Sequence, residues 1–356
     1  MASQRIDMVI GIDVGMSGTA VAYSNLAKAR HLDAPVMEFK NWENRDEEGK
    51  VPTQLIYDRE DIDRGPIAWG FTKQDQPEYP SNHVYAKWFK IDFGHSSPYT
   101  IQQHPTRKDL PSADTCYEHF LSRLYSHIEK KLSASELKPM NKTWKDASIE
   151  FIFSFPATWD RATVEKLKGL AKKAGFGDHP KHRLTASLSE PEAVAVFSVL
   201  EDKIELQNDN TLLVVDAGGG TIDICLSKVK ILGENDIRLA ELKPNIGEDA
   251  GSTYIDSQFQ ELALEALEIL KKAGHELPGG DPLELAWRMM NGEEFQNCKH
   301  SCNGLFADDD VFLVGIPGLN GNVSVEEANI MNGELRVKWY APFVTIYAIL
   351  GTSYLL

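Results

Sequence analysis

Residues 212–228 have the sequence LLVVDAGGGTIDICLSK, and this stretch decides the fold. Residues 212–215 are all apolar, which is typical of a buried strand rather than of an amphipathic helix. Asp216 ends this run, a glycine-rich segment with Thr221 follows, and residues 222–226 again have strand character. The pattern therefore predicts a β-hairpin whose turn is rich in glycine.

The turn of this hairpin has the composition of a phosphate-binding loop. Gly218, Gly219 and Gly220 let the backbone take positive φ and approach a bulky group closely, and successive amide N–H groups in such a turn form an anion-binding concavity. Asp216 and Asp223 flank it, which is explained if a divalent cation lies between these carboxylates and bound phosphates. The alternative is a tight turn between two solvated acids, since glycine-rich motifs also occur without a ligand.

The same plan occurs near the N-terminus. Residues 8–13, MVIGID, form an apolar run that ends on Asp13, and Gly15, Met16 and Ser17 belong to a short turn before the chain becomes apolar again. Two such copies indicate a duplicated architecture in which each lobe contributes one phosphate hairpin to a shared cleft. The alternative is a pair of unrelated hairpins.

Length and composition limit the classes of protein to which this chain can belong. The chain has 356 residues, of which 42% are hydrophobic and 25% charged, and its formal net charge is −16. These values are typical of a soluble globular protein with room for two lobes. The acidic balance argues against nucleic acid or an anionic membrane as the main partner, although a local loop and a metal ion still allow ATP phosphates to bind. The N-terminal residues have no signal-peptide pattern, and we expect a cytoplasmic protein.

The cysteines and the C-terminal residues point to no specific function. Cys298, His300 and Cys302 lie close together in the sequence, but a fourth metal ligand at suitable spacing is missing. Residues 340–356, YAPFVTIYAILGTSYLL, carry no charge, and this run is short for a membrane span. A tail anchor, a buried strand or helix, and the apolar end of a truncated chain are the alternatives, and a membrane location is not expected.

Hydrophobic spacing predicts further elements between and after the hairpins. Apolar residues recur every three or four positions along a helix over 114–132, residues 149–155 alternate as a strand, and Asp160 caps another helix. Further predictions are a turn over 246–254, a helix over 256–272, a helical stretch over 283–299 that breaks near Asn291, and strands over 311–314, 323–325 and 334–339.

Two segments of this central region contain candidate functional groups. Glu190 and Pro191 open a helix just after a strand, so Glu190 is either a capping carboxylate or a group that faces the cleft. Residues 85–93, YAKWFKIDF, mix aromatic residues with lysines. We interpret this segment as half-buried, with lysine side chains that extend their charged ends to solvent.

Taken in order, the motifs resemble the ATPase domain of the seventy-kilodalton heat-shock chaperone (heat-shock protein 70) family, within the actin and hexokinase fold. GIDVGMSGTAVAY and VVDAGGGTIDICL resemble the two phosphate motifs of the family, and LSEPEAVAVFSVL resembles its connecting motif. FSFPATWDRATVEKLKGLAKKAGF resembles the stretch before the connecting helix. The similarity covers about residues 8–299, and the chain looks closest to the branch that lacks a typical peptide-binding domain.

The resemblance implies an α/β, actin-like ATPase fold with two ribonuclease-H-like lobes around a nucleotide cleft. Lobe I would cover residues 1–206, and an incomplete lobe II would cover residues 207–339, followed by the atypical apolar tail. The implied ligands are ATP or ADP with Mg²⁺, and the implied protein partners are co-chaperones or clients.

The resemblance also implies a role for each matched residue. Asp13 and Asp216 would hold Mg²⁺ through its waters. The residues expected to contact the nucleotide are Gly15, Met16, Ser17, Gly218, Gly219, Gly220, Thr221, Gly251 and Lys299. The residues expected in the catalytic group are Glu190, Asp223, Thr221 and Lys73. Glu190 and Asp223 would orient or activate the attacking water, and Lys73 lies in the region of the family's catalytic lysine.

The chain departs from the family at three important points. It ends before the final helices that the resemblance implies for lobe II, which is why we expect this lobe to be incomplete. Met16 stands where the family usually has a threonine hydroxyl near the γ-phosphate, and we expect this change to slow hydrolysis. The family's late glycine-glycine-x-x-arginine adenosine motif is missing, since residues 315–318 and 320–322 match it poorly.

Three functions remain open from the sequence. The first is a chaperone-type ATPase whose nucleotide state moves the lobes. The second is a catalytically impaired nucleotide sensor or truncated inactive relative, which Met16 and the missing adenosine motif favour. The third is a small-molecule kinase on the same fold, since fold does not fix function.

Overall fold

The computed structural model describes residues 5–28, 34–43, 45, 47–71, 83–94, 109–200, 207–233, 236–248, 251–301 and 311–338. The described residues form two compact units. The first unit contains those from Arg5 to Glu248 except Asp109, and the second contains Asp109 and those from Gly251 to Lys338. The lobe boundaries expected at residues 206 and 339 remain predictions.

The first unit combines strands and helices throughout its length. In chain order its elements are β1 (Met8–Val14), β2 (Gly18–Asn25), β3 (Met37–Glu38), β4 (Lys50–Pro52), β5 (Gln54–Asp58), β6 (Ala68–Trp69), β7 (His83–Lys87), α1 (Ile91–Gly94), α2 (Ala113–Leu132), β8 (Ile149–Phe155), α3 (Arg161–Lys173), β9 (His182–Ser189), α4 (Glu190–Leu200), β10 (Thr211–Ala217), β11 (Ile222–Gly233), β12 (Asp236–Glu241) and β13 (Ile246–Glu248).

The main sheet of the first unit has the strand order β3-β2-β1-β8-β9, and β4 also pairs with β2. β2 runs antiparallel to β1, whereas β8 and β9 extend the sheet in parallel. An antiparallel meander followed by parallel strands is the topology of the ribonuclease-H-like lobe that the resemblance implies. The predicted α/β, actin-like fold class is confirmed by this architecture.

Side chains along β1 and β8 of this sheet alternate between buried and partly buried positions, and the buried ones pack against the helices. Ile10 of β1 and Phe151 of β8 lie in one hydrophobic core with Phe120 of α2 and Leu167 of α3. Parallel strands covered in this way need apolar residues at the inward positions, which is what the sequence provides. Aromatic rings fill much of the space, and the Phe151 ring lies 5.2 Å from that of Phe176.

Local capping defines where the helices of this unit begin. The backbone N–H of Thr163 donates to the Asp160 carboxylate at 2.8 Å, so Asp160 caps α3 as the sequence predicts. The helix predicted over 114–132 and the strand predicted over 149–155 are confirmed as α2 and β8.

Two smaller sheets complete the first unit. One has the order β6-β5-β7, and the other has the order β10-β11-β12 with β13 also paired to β11. All pairs of the β10–β13 sheet are antiparallel, and this sheet contains the glycine-rich hairpin. Val214 of β10 and Cys225 of β11 pack with Ala195 of α4 in a small apolar cluster.

The second unit contains helices and a short antiparallel sheet. Its elements are α5 (Thr253–Lys272), α6 (Pro282–Asn291), α7 (Glu293–His300), β14 (Val311–Gly315), β15 (Ile330–Met331) and β16 (Glu334–Lys338). Phe259 of α5 stacks on Phe295 of α7 with ring centroids 3.9 Å apart. The predicted helix over 256–272 and the predicted break near Asn291 are confirmed.

No helix within the described ranges has the length and apolar character to cross a membrane.

Two local predictions are wrong. Of the strand expected over 323–325, only Val325 pairs, as an isolated bridge to Ile330. Residues 246–248, expected in a turn, form β13 because β11 offers them a pairing edge that the local sequence does not reveal. The C-terminal residues 340–356 lie outside the described residues.

Replacing Phe151 by alanine tests the core of the first unit. Phe151 is fully buried in β8, and truncating a buried phenylalanine leaves a cavity that costs about 3–5 kcal/mol. We expect a loss of this size in the free energy of unfolding measured in urea. Lys172→Ala, an exposed change on α3, serves as the control and should stay within about 0.5 kcal/mol of wild type. A loss from Phe151→Ala as small as the control's would contradict this account of the core.

Candidate functional site

The two hairpins identified in the sequence have the same geometry. In the first, Val14 pairs with Thr19, and in the second, Ala217 pairs with Ile222, so each turn contains four residues. The residue before each of these pairs is an aspartate. Asp13 and Asp216 therefore occupy equivalent positions, each one residue before the end of its strand.

The two turns lie in direct contact. A Cβ atom added to Gly219 would lie 3.2 Å from both Met16 Cβ and Ser17 Oγ. A Cβ on Gly220 would overlap the Met16 methyl group. None of the three described glycines of this turn has a positive φ. The turn therefore needs glycine for close approach, and the positive φ expected from the sequence is wrong.

A cavity of about 160 Å³ lies at this junction. It collects residues from both hairpins and from the segments between them. Its lining is Asp13, Gly15, Met16, Ser17, Gly18, Lys50, Lys90, Ile91, Pro156, Thr158, Trp159, Glu190, Asp216, Gly218, Gly219, Gly220 and Thr221. The structure thus brings together Asp13, Asp216, Glu190 and both turns, as the sequence predicts.

Lys90 and Glu190 form a buried ion pair at the cavity. The Lys90 ammonium donates to Glu190 Oε1 at 2.8 Å, and the two side chains are 9% and 15% exposed. Burial disfavours the ammonium, but attraction by Glu190 and by Asp13 outweighs it and raises the pKa of Lys90 above its usual value. Burial also raises the pKa of the Glu190 carboxyl; Lys90 opposes this rise, and the charge of Asp13 adds to it.

The helix that begins at Glu190 obtains its cap from other residues. The backbone N–H of Ser189 donates to the Glu192 carboxylate at 2.9 Å, and the N–H of Glu192 donates to Ser189 Oγ at 3.4 Å. These reciprocal bonds form a capping box. Glu190 therefore takes no part in the cap, and its carboxylate lines the cavity.

The two equivalent aspartates repel each other across the cavity. Burial raises the pKa of Asp216, and the charge of Asp13 adds to that rise, while Lys90 and Lys50 oppose it. Ser154 Oγ donates to Asp13 Oδ1 at 3.2 Å, which fixes the orientation of that carboxylate. A divalent cation between the two carboxylates would relieve their repulsion, so the donor set fits Mg²⁺.

Magnesium tends to keep several waters and to use only one or two protein carboxylates. Asp13 and Asp216 would hold the ion through such waters. Among the described residues, no group of three or more histidine, cysteine, aspartate and glutamate side chains is arranged to hold a metal ion.

Hydrogen bonds also position the polar groups of the turns. Thr221 Oγ1 donates to Asp223 Oδ2 at 2.7 Å, and Asp223 is only 1% exposed. The backbone N–H of Thr53 donates to the Ser17 carbonyl at 3.1 Å, and the Thr53 and Thr19 hydroxyls lie 2.9 Å apart. Hydrogen bonds from Thr53, which directly follows β4, thus hold the first turn and the start of β2 in place.

Some predicted site residues are not among the cavity residues. Lys73, like Cys302, lies outside the described residues. Gly251 and Lys299 belong to the second unit, where the Lys299 ammonium donates to Asp256 at 2.7 Å in a nearly buried ion pair. Nucleotide contacts by Gly251 and Lys299 remain predictions.

Sequence reasoning missed Lys90. We expected the lysines of residues 85–93 to extend to solvent, and for Lys90 this is wrong because the buried Glu190 carboxylate attracts its ammonium. The Lys90 ammonium also lies over the Trp159 ring, 5.5 Å from the ring centroid. The large apolar residues on either side of Lys90 in the sequence are a signal that this lysine is buried. Lys87 of the same segment also lies next to a large apolar residue, so this signal does not single out Lys90.

Two curated proteins show distant sequence similarity to this chain. The Chaperone protein HscA homolog of Acinetobacter baylyi is 23% identical over 231 residues, which are 62% of this chain and 32% of that protein. Chaperone protein DnaK of Psychrobacter cryohalolentis is 26% identical over 267 residues, which are 70% of this chain and 36% of that protein. The chain thus spans about a third of the length of these curated relatives.

The other comparisons are weaker. The crystal structure of MreB5 of Spiroplasma citri bound to ADP covers 97% of this chain and 76% of that chain, with 13% identity and a TM-score of 0.47. No protein-family model matches the chain. The sequence relatives, together with the sheet topology and the paired hairpins, support a nucleotide-binding protein of the actin-like ATPase superfamily.

Replacing Lys90 by methionine tests the buried ion pair. The variant leaves the Glu190 carboxylate buried near Asp13 without its cation, so the folded-state pKa of Glu190 rises further above its unfolded value. The folded state then holds a proton that the unfolded state releases, and stability falls as pH rises through this interval. We expect a loss of about 3–5 kcal/mol near pH 8 and a much smaller loss near pH 5, measured by urea unfolding.

The double variant Lys90→Met, Glu190→Gln is the control. It has no carboxylate at position 190, so its stability should differ from wild type by a similar amount at both pH values. An equal loss for Lys90→Met alone at the two pH values would show that the Lys90 charge does not stabilise the Glu190 carboxylate.

Proposed function

We propose that the chain is an ATP-binding protein of the heat-shock protein 70 type, with Mg²⁺-dependent ATP hydrolysis and a chaperone-like role in the cytoplasm. The observation that supports it best is the contact between two equivalent hairpin turns, each preceded by an aspartate, beside a buried Lys90–Glu190 pair. This arrangement supplies the backbone amides, carboxylates and cation that phosphoryl transfer requires.

In this proposal the residues of the chain act mainly by positioning charges. Asp13 and Asp216 would hold Mg²⁺ through its waters, and the ion would neutralise charge on the phosphates. The turn amides and Lys90 surround the phosphates. Lys90 also fixes the Glu190 carboxylate, which accepts a hydrogen bond from the attacking water. Thr221 donates a hydrogen bond to Asp223, which is buried and is not among the cavity residues. A role of Asp223 with Glu190 in orienting that water is part of the proposal.

Two other functions are kept as alternatives. A nucleotide sensor that binds without turnover is favoured by Met16, whose thioether can neither donate a strong hydrogen bond nor replace a hydroxyl beside a phosphate. A small-molecule kinase would need an acid that accepts a proton from a substrate hydroxyl. Glu190 followed by Pro191 fits the connecting motif of the heat-shock protein 70 family better than this role. Co-chaperone or client contacts belong to the leading proposal.

Calorimetry with ATP and with ADP, each in the presence and absence of Mg²⁺, separates these functions. The leading proposal predicts Mg²⁺-dependent binding together with phosphate release. Binding without phosphate release would leave the sensor, and transfer of phosphate to an added small hydroxyl compound would indicate the kinase. The absence of binding at millimolar nucleotide would rule out the ATPase, the kinase and the sensor, and would leave the inactive relative.

Replacing Asp216 by asparagine tests the metal role. The change keeps the size of the side chain and removes the charge that attracts Mg²⁺, so we expect nucleotide affinity with Mg²⁺ to fall by about tenfold or more. Affinity without Mg²⁺ should change little or improve, because a carboxylate that repels phosphate is lost. Asp178→Asn, an exposed change outside the cavity, is the matched control. Unchanged Mg²⁺-dependent affinity in Asp216→Asn would remove the proposed metal ligand.

A further inference from the structure

Met16 occupies an unusual position between the two turns. It is the second residue of the first turn and is equivalent to Gly219 in the second turn. Its side chain is only 6% exposed, and it extends over Gly220, where a Cβ atom would overlap its methyl group. One turn therefore has a long side chain at the position where the other has glycine, and that side chain fills the gap between the turns.

The Met16 side chain differs chemically from its surroundings. The charged groups of the cavity lining are the carboxylates Asp13, Asp216 and Glu190 and the ammonium groups Lys50 and Lys90. A thioether offers a phosphate neither charge nor a strong hydrogen bond. Any phosphate that contacts both turns at once must displace Met16, and displacement exposes a buried apolar side chain to water or crowds it against neighbours.

Displacement is possible at a cost. Methionine is unbranched and has several rotatable bonds, so the side chain can rotate away without movement of the backbone. A phosphate chain that contacts only one turn would leave Met16 in place, whereas a chain long enough to contact both turns would have to enter the gap that Met16 fills. Each additional phosphate also adds negative charge to a cavity where the three carboxylates already outnumber the two lysines.

We propose that Met16 makes this site selective for a nucleoside diphosphate over a nucleoside triphosphate. The inference rests on the proposed nucleotide-binding function and names the form of nucleotide that the site prefers. Met16 acts as a specificity-determining residue because its side chain occupies the space that the third phosphate would enter.

Dissociation constants for ADP and for a non-hydrolysable ATP analogue, both with Mg²⁺, test this directly by calorimetry. In the wild-type chain we expect ADP to bind at least about tenfold more tightly, a difference of about 1.4 kcal/mol. Met16→Ala opens the gap, so the ratio should fall towards one, chiefly because the triphosphate binds more tightly. Met16→Leu keeps an apolar side chain of similar volume and should preserve the ratio.

The outcomes separate this inference from the function on which it rests. Equal affinities in the wild-type chain would overturn it, even if no variant folds. A ratio that is the same in wild type and in a folded Met16→Ala variant would also overturn it, while the nucleotide-binding function would stand. If neither nucleotide binds to the wild-type chain, the proposed function itself fails and the selectivity fails with it. Urea unfolding of each variant without nucleotide verifies that it is folded.

Discussion

The close contact between the two hairpin turns is the constraint on which the site depends. Met16 and Ser17 of one turn lie against Gly219 and Gly220 of the other. A side chain on Gly219 would require Met16 or Ser17 to shift by a few tenths of an ångström, and one on Gly220 would displace the Met16 methyl group. Because each turn continues a strand of its own sheet, this contact also determines where Asp13 and Asp216 lie. Close-packed interiors transmit such a displacement rather than absorb it.

Charge balance is the second requirement of this cavity. Asp13, Asp216 and Glu190 lie in partly buried surroundings, where a carboxylate without a partner is costly. Lys90 offsets part of this cost through its bond to Glu190. A buried pair of this kind is weak evidence of added stability, because desolvation of two ions consumes most of the Coulomb energy. Its clearer effect is to hold one carboxylate in a fixed direction.

The capping box at the start of α4 shows how neighbouring acids divide their roles. Glu192 and Ser189 satisfy the first turn of the helix. Glu190, two residues before Glu192, is left to face the cavity. The sequence left both possibilities open for Glu190, capping and cleft. The choice for Glu190 follows from its distance to Lys90, which a local pattern does not contain.

The sequence by itself determined the two hairpins, the order of their aspartates, the main helices and the α/β class, because apolar periodicity, caps and glycine turns act over a few residues. The tertiary structure alone decided that Lys90 is buried, that residues 246–248 pair as a strand, and that Met16 lies over Gly220. Each of these depends on a partner far away in the chain: Glu190 for Lys90, β11 for residues 246–248, and the second turn for Met16. Burial and charge pairing are set by such distant partners, and a local pattern therefore cannot specify them.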